Sequence, residues 1–205
     1  MLSDSRELGL GSRSDICYLA AMSSQIQTPS QTAEDPRYPV GRFVLPEYVT
    51  MDDRVFAIAT LAELPTQLRN AVDDLDQEQL DTPYRDGGWT VRQVVHHIAD
   101  SHTNAVVRVR KALTESWPTI FAYDEKAWAT MHDYAAPVEW SLELIESLHA
   151  RWVMLLQSLS DDDWQCGFVH PERGKMTVEI ATLMYAWHSR HHVAHITHLR
   201  AREDW

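Results

Sequence analysis

A chain of 205 residues is long enough for one domain with a substantial core and too short for two ordinary ones. Its 44% hydrophobic and 23% charged residues match a folding globular protein and exclude a disordered one. The formal charge of −12 argues against broad nucleic-acid binding, which needs clustered Lys and Arg, and two cysteines cannot build a disulfide framework or a cysteine-rich zinc site.

Residues 1–35, rich in Ser, Gln, Thr and Asp without apolar periodicity, read as a mobile N-terminal extension, and residues 36–205 as the single domain. Within the extension, Ile16 to Met22 is too short for a signal sequence, Cys17 reads as an inert thiol like Cys166, and Met22 is an alternative start. No run of about 18 apolar residues exists to span a membrane, so the expectation is a soluble cytoplasmic protein.

The first helix is expected after Thr50, a residue that caps helices, with Asp52 and Asp53 in its first turn. Leu61, Leu64, Leu68, Ala71, Val72 and Leu75 keep the helical period, while Pro65 is expected to kink or restart the helix near Glu63. A loop over Thr82–Gly88 follows. Thr90 and Gln93 then form a capping-box pattern ahead of a second helix with Val91, Val94, Val95, Ile98, Ala105, Val106, Val109 and Leu113 on its apolar stripe. After Pro118, one or two helical turns are expected around Tyr123–Trp128, then a third long helix capped at Ser141 and carrying Leu142, Ile145, Leu148, Trp152, Leu155, Leu156 and Leu159. Residues 160–176 read as a polar connection without strand alternation, and Thr177 caps a fourth helix running to about Arg200. The expected fold is all-α: a four-helix bundle whose long connections leave its order open.

Eleven histidines are present, and eight lie on two helices: His96, His97 and His102 on the second, and His188, His191, His192, His195 and His198 on the fourth. Residues four apart stack on one helical face, so His191/His195 and His188/His192 can each present two imidazoles to one ion. The apolar centre of the last helix, near Leu183, Met184, Trp187 and Ala194, selects His191 and His195 and places His188 and His192 toward solvent. On the second helix the same periodicity favours His102, with His97 and His96 on opposite flanks. No HExxH glutamate accompanies the pairs to name a hydrolytic base.

Three long stretches resemble the DinB/YfiT-like family of helical metalloproteins, and its YfiT branch most: Tyr38–Gly41, Leu80–His102 with its Gly-Gly-Trp-Thr-Val-Arg-Gln-Val-Val-His-His run, and Trp187–Thr197. The resemblance covers about residues 36–205. It implies a four-helix fold and a homodimer. It also implies a divalent metal held by a histidine of the second helix, with an acidic residue three positions on, and an H-x3-H pair of the last helix. Carried over, the ligands are His97, His191 and His195, with Asp100 orienting His97.

Three imidazoles leave a coordination position open, as catalytic rather than structural zinc sites do. The resulting expectation is a metal-dependent hydrolase of a small molecule, using a metal-activated water. Zinc is favoured and nickel next, since neutral imidazoles suit both. Two alternatives remain: a low-molecular-weight thiol S-transferase of the bacillithiol or glutathione type, in which the ion holds a thiolate, and a metal-binding stress protein without turnover. Arg85, Asp86 and Trp89, in the loop entering the second helix, are candidates for lining the cavity.

Overall fold

The computed structural model describes residues 35–205, so the expected extension lies, Asp35 apart, outside the described residues. Four long helices dominate: α1 (Met51–Val72), α3 (Val91–Thr114), α5 (Val138–Gln157) and α7 (Val178–Glu203). Between them lie the short helices α2 (Gln77–Leu80), α4 (Glu125–Trp128) and α6 (Asp161–Gln165), a 3-10 turn at His132–Ala135, and two strands, β1 (Gly167–His170) and β2 (Gly174–Thr177).

The helix starts follow from side-chain chemistry. Thr50 and Asp53 exchange hydrogen bonds with each other's backbone amides, as do Thr90 and Gln93, so orphan donors at both N-termini are satisfied locally. Thr177 accepts from the amide of Ile180 at the start of α7. The third long helix departs from expectation. It begins at Val138 behind Pro137, one turn before Ser141, because the Ser141 hydroxyl bonds His96 Nδ1 at 2.7 Å instead of capping. Pro65 also departs from expectation, since α1 runs unbroken through it. Proline lacks the N–H that would bond the carbonyl of Leu61, and that carbonyl accepts a 2.6 Å bond from His149 Nδ1 on α5 instead.

The supposed polar connection before α7 contains an antiparallel hairpin, pairing Phe168 with Met176 and His170 with Gly174. Four residues are too few for alternation to be legible, but Phe168 and Met176 are buried against the bundle. The hairpin is tied to the preceding segment by Val169, whose amide donates to Pro118 and whose carbonyl accepts from Ile120. At Gly167 a Cβ would lie 2.5 Å from the Met176 carbonyl oxygen, so only glycine permits this approach.

Around the bundle α1 neighbours α7 and α5, and α3 neighbours the same two, so α1 stands diagonal to α3 and α5 to α7, while α3 and α5 are adjacent. Two apolar clusters fill its interior. One holds Leu64, Leu68, Val95, Ile98, Ile145 and Ile196; the other holds Leu61, Ala105, Val109, Trp152, Phe168 and Tyr185. His102 on α3, His149 on α5, and His188 and His192 on α7 also meet inside the bundle.

Candidate metal centre

This histidine cluster opens onto a cavity of about 580 Å³ whose lining includes His97, His188, His191, His192 and His195. Among the described residues two groups gather three potential ligand atoms within 4.8 Å of one another: His97 with His188 and His192, and His191 with His192 and His195. The structure thus brings His97 to the pair His188/His192. The expected combination of His97 with His191 and His195 is neither of these groups.

The expectation that His188 and His192 face solvent is corrected by their environment. His192 is 7% exposed, and His188 is half-buried beside the cavity. His191 and His195, the pair the periodicity placed inside, are buried as well; the helical wheel misplaced only His188 and His192, because α7 is enclosed by α1, α3, α6 and β2 and apolar residues occur on several of its sides. Of Leu183, Met184, Trp187 and Ala194, taken as the centre of its inner face, only Ala194 is buried, whereas Thr182, Tyr185, Ser189 and His192 are also buried.

The first group joins two helices. His97 Nε2 on α3 and His188 Nε2 on α7 stand 3.3 Å apart. Two nitrogens about 2.0–2.1 Å from one tetrahedral ion stand about 3.3–3.4 Å apart, so this spacing fits a shared metal. The second group comes from α7 alone. Tyr84 stacks on His195 at 3.9 Å and Trp187 on His191 at 4.5 Å, and His195 Nδ1 meets His192 Nδ1 at 3.3 Å. Burial holds His97 and His191 down at about 4 and His195 at about 3, and keeps His188 and His192 well below the usual imidazole value. All five are therefore neutral at pH 7, the protonation state a metal requires.

His188 continues into the core. Its Nδ1 lies 3.1 Å from His102 Nε2, His102 Nδ1 lies 2.9 Å from His149 Nε2, and His149 Nδ1 reaches the Leu61 carbonyl. His102, the residue favoured by periodicity, is fully buried and touches His188 rather than the cavity. His149 was missed, although one histidine between Ile145 and Trp152 on an apolar helical stripe was a readable signal.

Asp100 does not reach His97. It accepts a 2.7 Å bond from the Tyr134 hydroxyl, and burial raises its carboxyl above the ordinary value, while His97 Nδ1 is buried without a partner. Of the three loop candidates, Trp89 lines the cavity and packs on His97 at 4.5 Å. Arg85 and Asp86 line a separate surface depression with Arg37 and Arg202.

Arg108 is the unexpected member of the wall. It is 8% exposed and bonds Tyr185 Oη at 3.2 Å and the Phe121 carbonyl at 3.0 Å. Among the described residues no carboxylate pairs with it, unlike Arg54 and Arg92.

Comparison with known proteins places this geometry among relatives. The DinB superfamily profile matches residues 60–196. A Bacillus cereus (strain ATCC 10987 / NRS 248) protein, provisionally named a metal-dependent hydrolase, is 52% identical over 171 residues, covering 83% of this chain and 99% of its own. A Bacillus anthracis (strain CDC 684 / NRRL 3495) protein of the same provisional name is 51% identical over 171 residues, with the same coverage. The solved structure of YfiT from Bacillus subtilis is described as a probable metal-dependent hydrolase with an unusual four-helix bundle topology. It superposes with a TM-score of 0.81 at 46% identity, covering 83% of this chain and 98% of that one.

Proposed function

This chain belongs to the DinB superfamily, and on that footing we propose that it is a metal-dependent hydrolase whose ion is held by His97, His188 and His192. The observation that carries the reading is the convergence of the His97 and His188 Nε2 atoms at 3.3 Å, with His192 in the same group, at the wall of a cavity large enough for a small molecule. An ion bound by three neutral imidazoles keeps a position open, lowers the pKa of water toward about 7 and polarises a carbonyl or phosphoryl oxygen. Zinc is the ion proposed, with nickel next.

The chain's own residues supply binding and orientation. Arg108, a nearly buried cation without a carboxylate, fits a substrate bearing an anionic group. Tyr185 Oη accepts from Arg108, which leaves its proton free to donate into the cavity. Tyr123, held at about 12 by burial, remains a neutral donor on the same wall. Trp89 and Tyr84 cover the histidines and restrict water.

No helix among the described residues is long and apolar enough to cross a membrane, and a cytoplasmic setting is part of the proposal. So is a homodimer: Val44, Tyr48, Met51, Val55 and Phe56, all exposed around the start of α1, supply an apolar patch for a second copy.

The deciding experiment strips the protein with a chelator, reloads it with zinc or nickel, and screens esters and amides with and without a carboxylate. Hydrolysis restored by metal and favouring the anionic substrates supports the reading. Metal-dependent conjugation of a small thiol to an electrophile, without hydrolysis, would replace it with the S-transferase reading. Metal binding with neither activity would leave a non-catalytic metal protein.

A further inference from the structure

We infer that Leu61, His149 and His102 form a buried hydrogen-bond row that fixes the tautomer of His188, holding its Nε2 lone pair toward His97. The row touches every long helix and starts from a defect in α1. Pro65 has no N–H to give to the Leu61 carbonyl, and the vacated acceptor is taken by His149 Nδ1 at 2.6 Å.

A carbonyl oxygen only accepts, so that bond places the proton of His149 on Nδ1. The row runs through the core, its rings bonded only to other imidazoles and to a backbone carbonyl, with no carboxylate among the described residues beside them to balance a charge, so each ring is neutral and carries one N–H. His149 Nε2 is then an acceptor, and His102 Nδ1, 2.9 Å away, is its donor. His102 Nε2 in turn accepts, and His188 Nδ1, 3.1 Å away, donates. The only nitrogen left with a lone pair on His188 is Nε2, which faces His97 Nε2. Free histidine prefers its proton on Nε2, so without the row His188 would present an N–H where a lone pair is needed. His102 and His149 are 0% and 1% exposed, which leaves them no other donors or acceptors in water.

His102 and His149 are therefore positioning residues. They orient a ligand through the nitrogen that does not face the metal, a relation whose loss weakens metal binding by about 10–100-fold in known sites. The consequence for metal binding rests on the proposed His97–His188–His192 site; the tautomer does not.

The test begins with nitrogen-detected NMR of metal-free protein labelled with ¹⁵N-histidine, which distinguishes Nδ1–H from Nε2–H on each ring. Nδ1–H on His188, His102 and His149 is expected, and Nε2–H on His188 would overturn the inference whether or not the protein binds metal. Zinc affinity, measured by chelator competition, is then compared in His102→Leu and His102→Gln. A leucine neither donates nor accepts, so affinity should fall about 10–100-fold. A glutamine can accept from His188 and donate to His149, so it should recover most of the loss. Unchanged affinity in a folded His102→Leu protein, or equal weakening in both variants, would reduce the row to packing.

Discussion

Replacing His149 by leucine isolates the contribution of the proline in α1. The substitution leaves two buried groups without partners, the Leu61 carbonyl and the His102 Nδ1–H. Each orphaned group costs about 1–3 kcal/mol, so the expected loss of stability is about 2–6 kcal/mol. Adding Pro65→Ala restores an amide that can bond the Leu61 carbonyl within α1 and removes one of those two costs. In the wild-type background that carbonyl is already satisfied by His149. Pro65→Ala should therefore stabilise the His149→Leu protein by about 1–3 kcal/mol more than it stabilises the wild type. The His102 orphan of the His149→Leu background is unchanged by Pro65→Ala, so it drops out of that comparison. Urea unfolding of the four proteins, without metal, measures the coupling from the midpoints at constant slope. Additivity within about 0.5 kcal/mol would refute the argument that the proline's missing hydrogen bond is what His149 supplies.

Metal content after chelation and reloading separates the two histidine groups: His97→Ala, His188→Ala and His192→Ala should each lose tight binding, while His191→Ala and His195→Ala retain most of it, and the reverse result would move the centre onto the second group. Arg108→Met should raise KM for a carboxylate-bearing substrate far more than for its neutral analogue, with Arg108→Lys intermediate; equal effects on both substrates would remove the anion from the proposal. The metal-free protein should lose stability as pH falls from about 6.5 toward about 4, because the unfolded chain takes up protons there that His97, His149 and His191, held near 4 by burial, do not. Unfolding midpoints that stay flat between pH 7 and 5 would contradict the neutral buried imidazoles. Gly167→Ala should destabilise the protein by about 1–3 kcal/mol, since the new methyl meets the Met176 carbonyl and the Trp117 ring; an unchanged thermal midpoint would show that the hairpin yields at no cost.

Much of this molecule is determined locally. The caps at Thr50, Thr90 and Thr177 are interactions between residues three apart, so spacing alone reveals them, and the apolar period of α1, α3 and α5 follows from one face of each helix meeting the core. The histidine enrichment of α3 and α7 is equally visible in the chain. Which histidines meet is a different matter. His191/His195 and His188/His192 have the same spacing, and a rotation of α7 by less than one residue's turn decides which pair meets His97; that rotation is set by its packing against α1 and α3, not by its spacing. Because α7 is enclosed on several sides, its buried positions carry Thr182, Ser189 and His192 as readily as apolar residues, and a wheel centred on hydrophobicity finds only one of its buried sides. The bond from His149 to Leu61 crosses 88 residues, and Arg108 meets Tyr185 across 77. Such contacts leave no periodic trace in the chain, because a buried polar group is satisfied by whatever donor or acceptor the tertiary fold brings beside it.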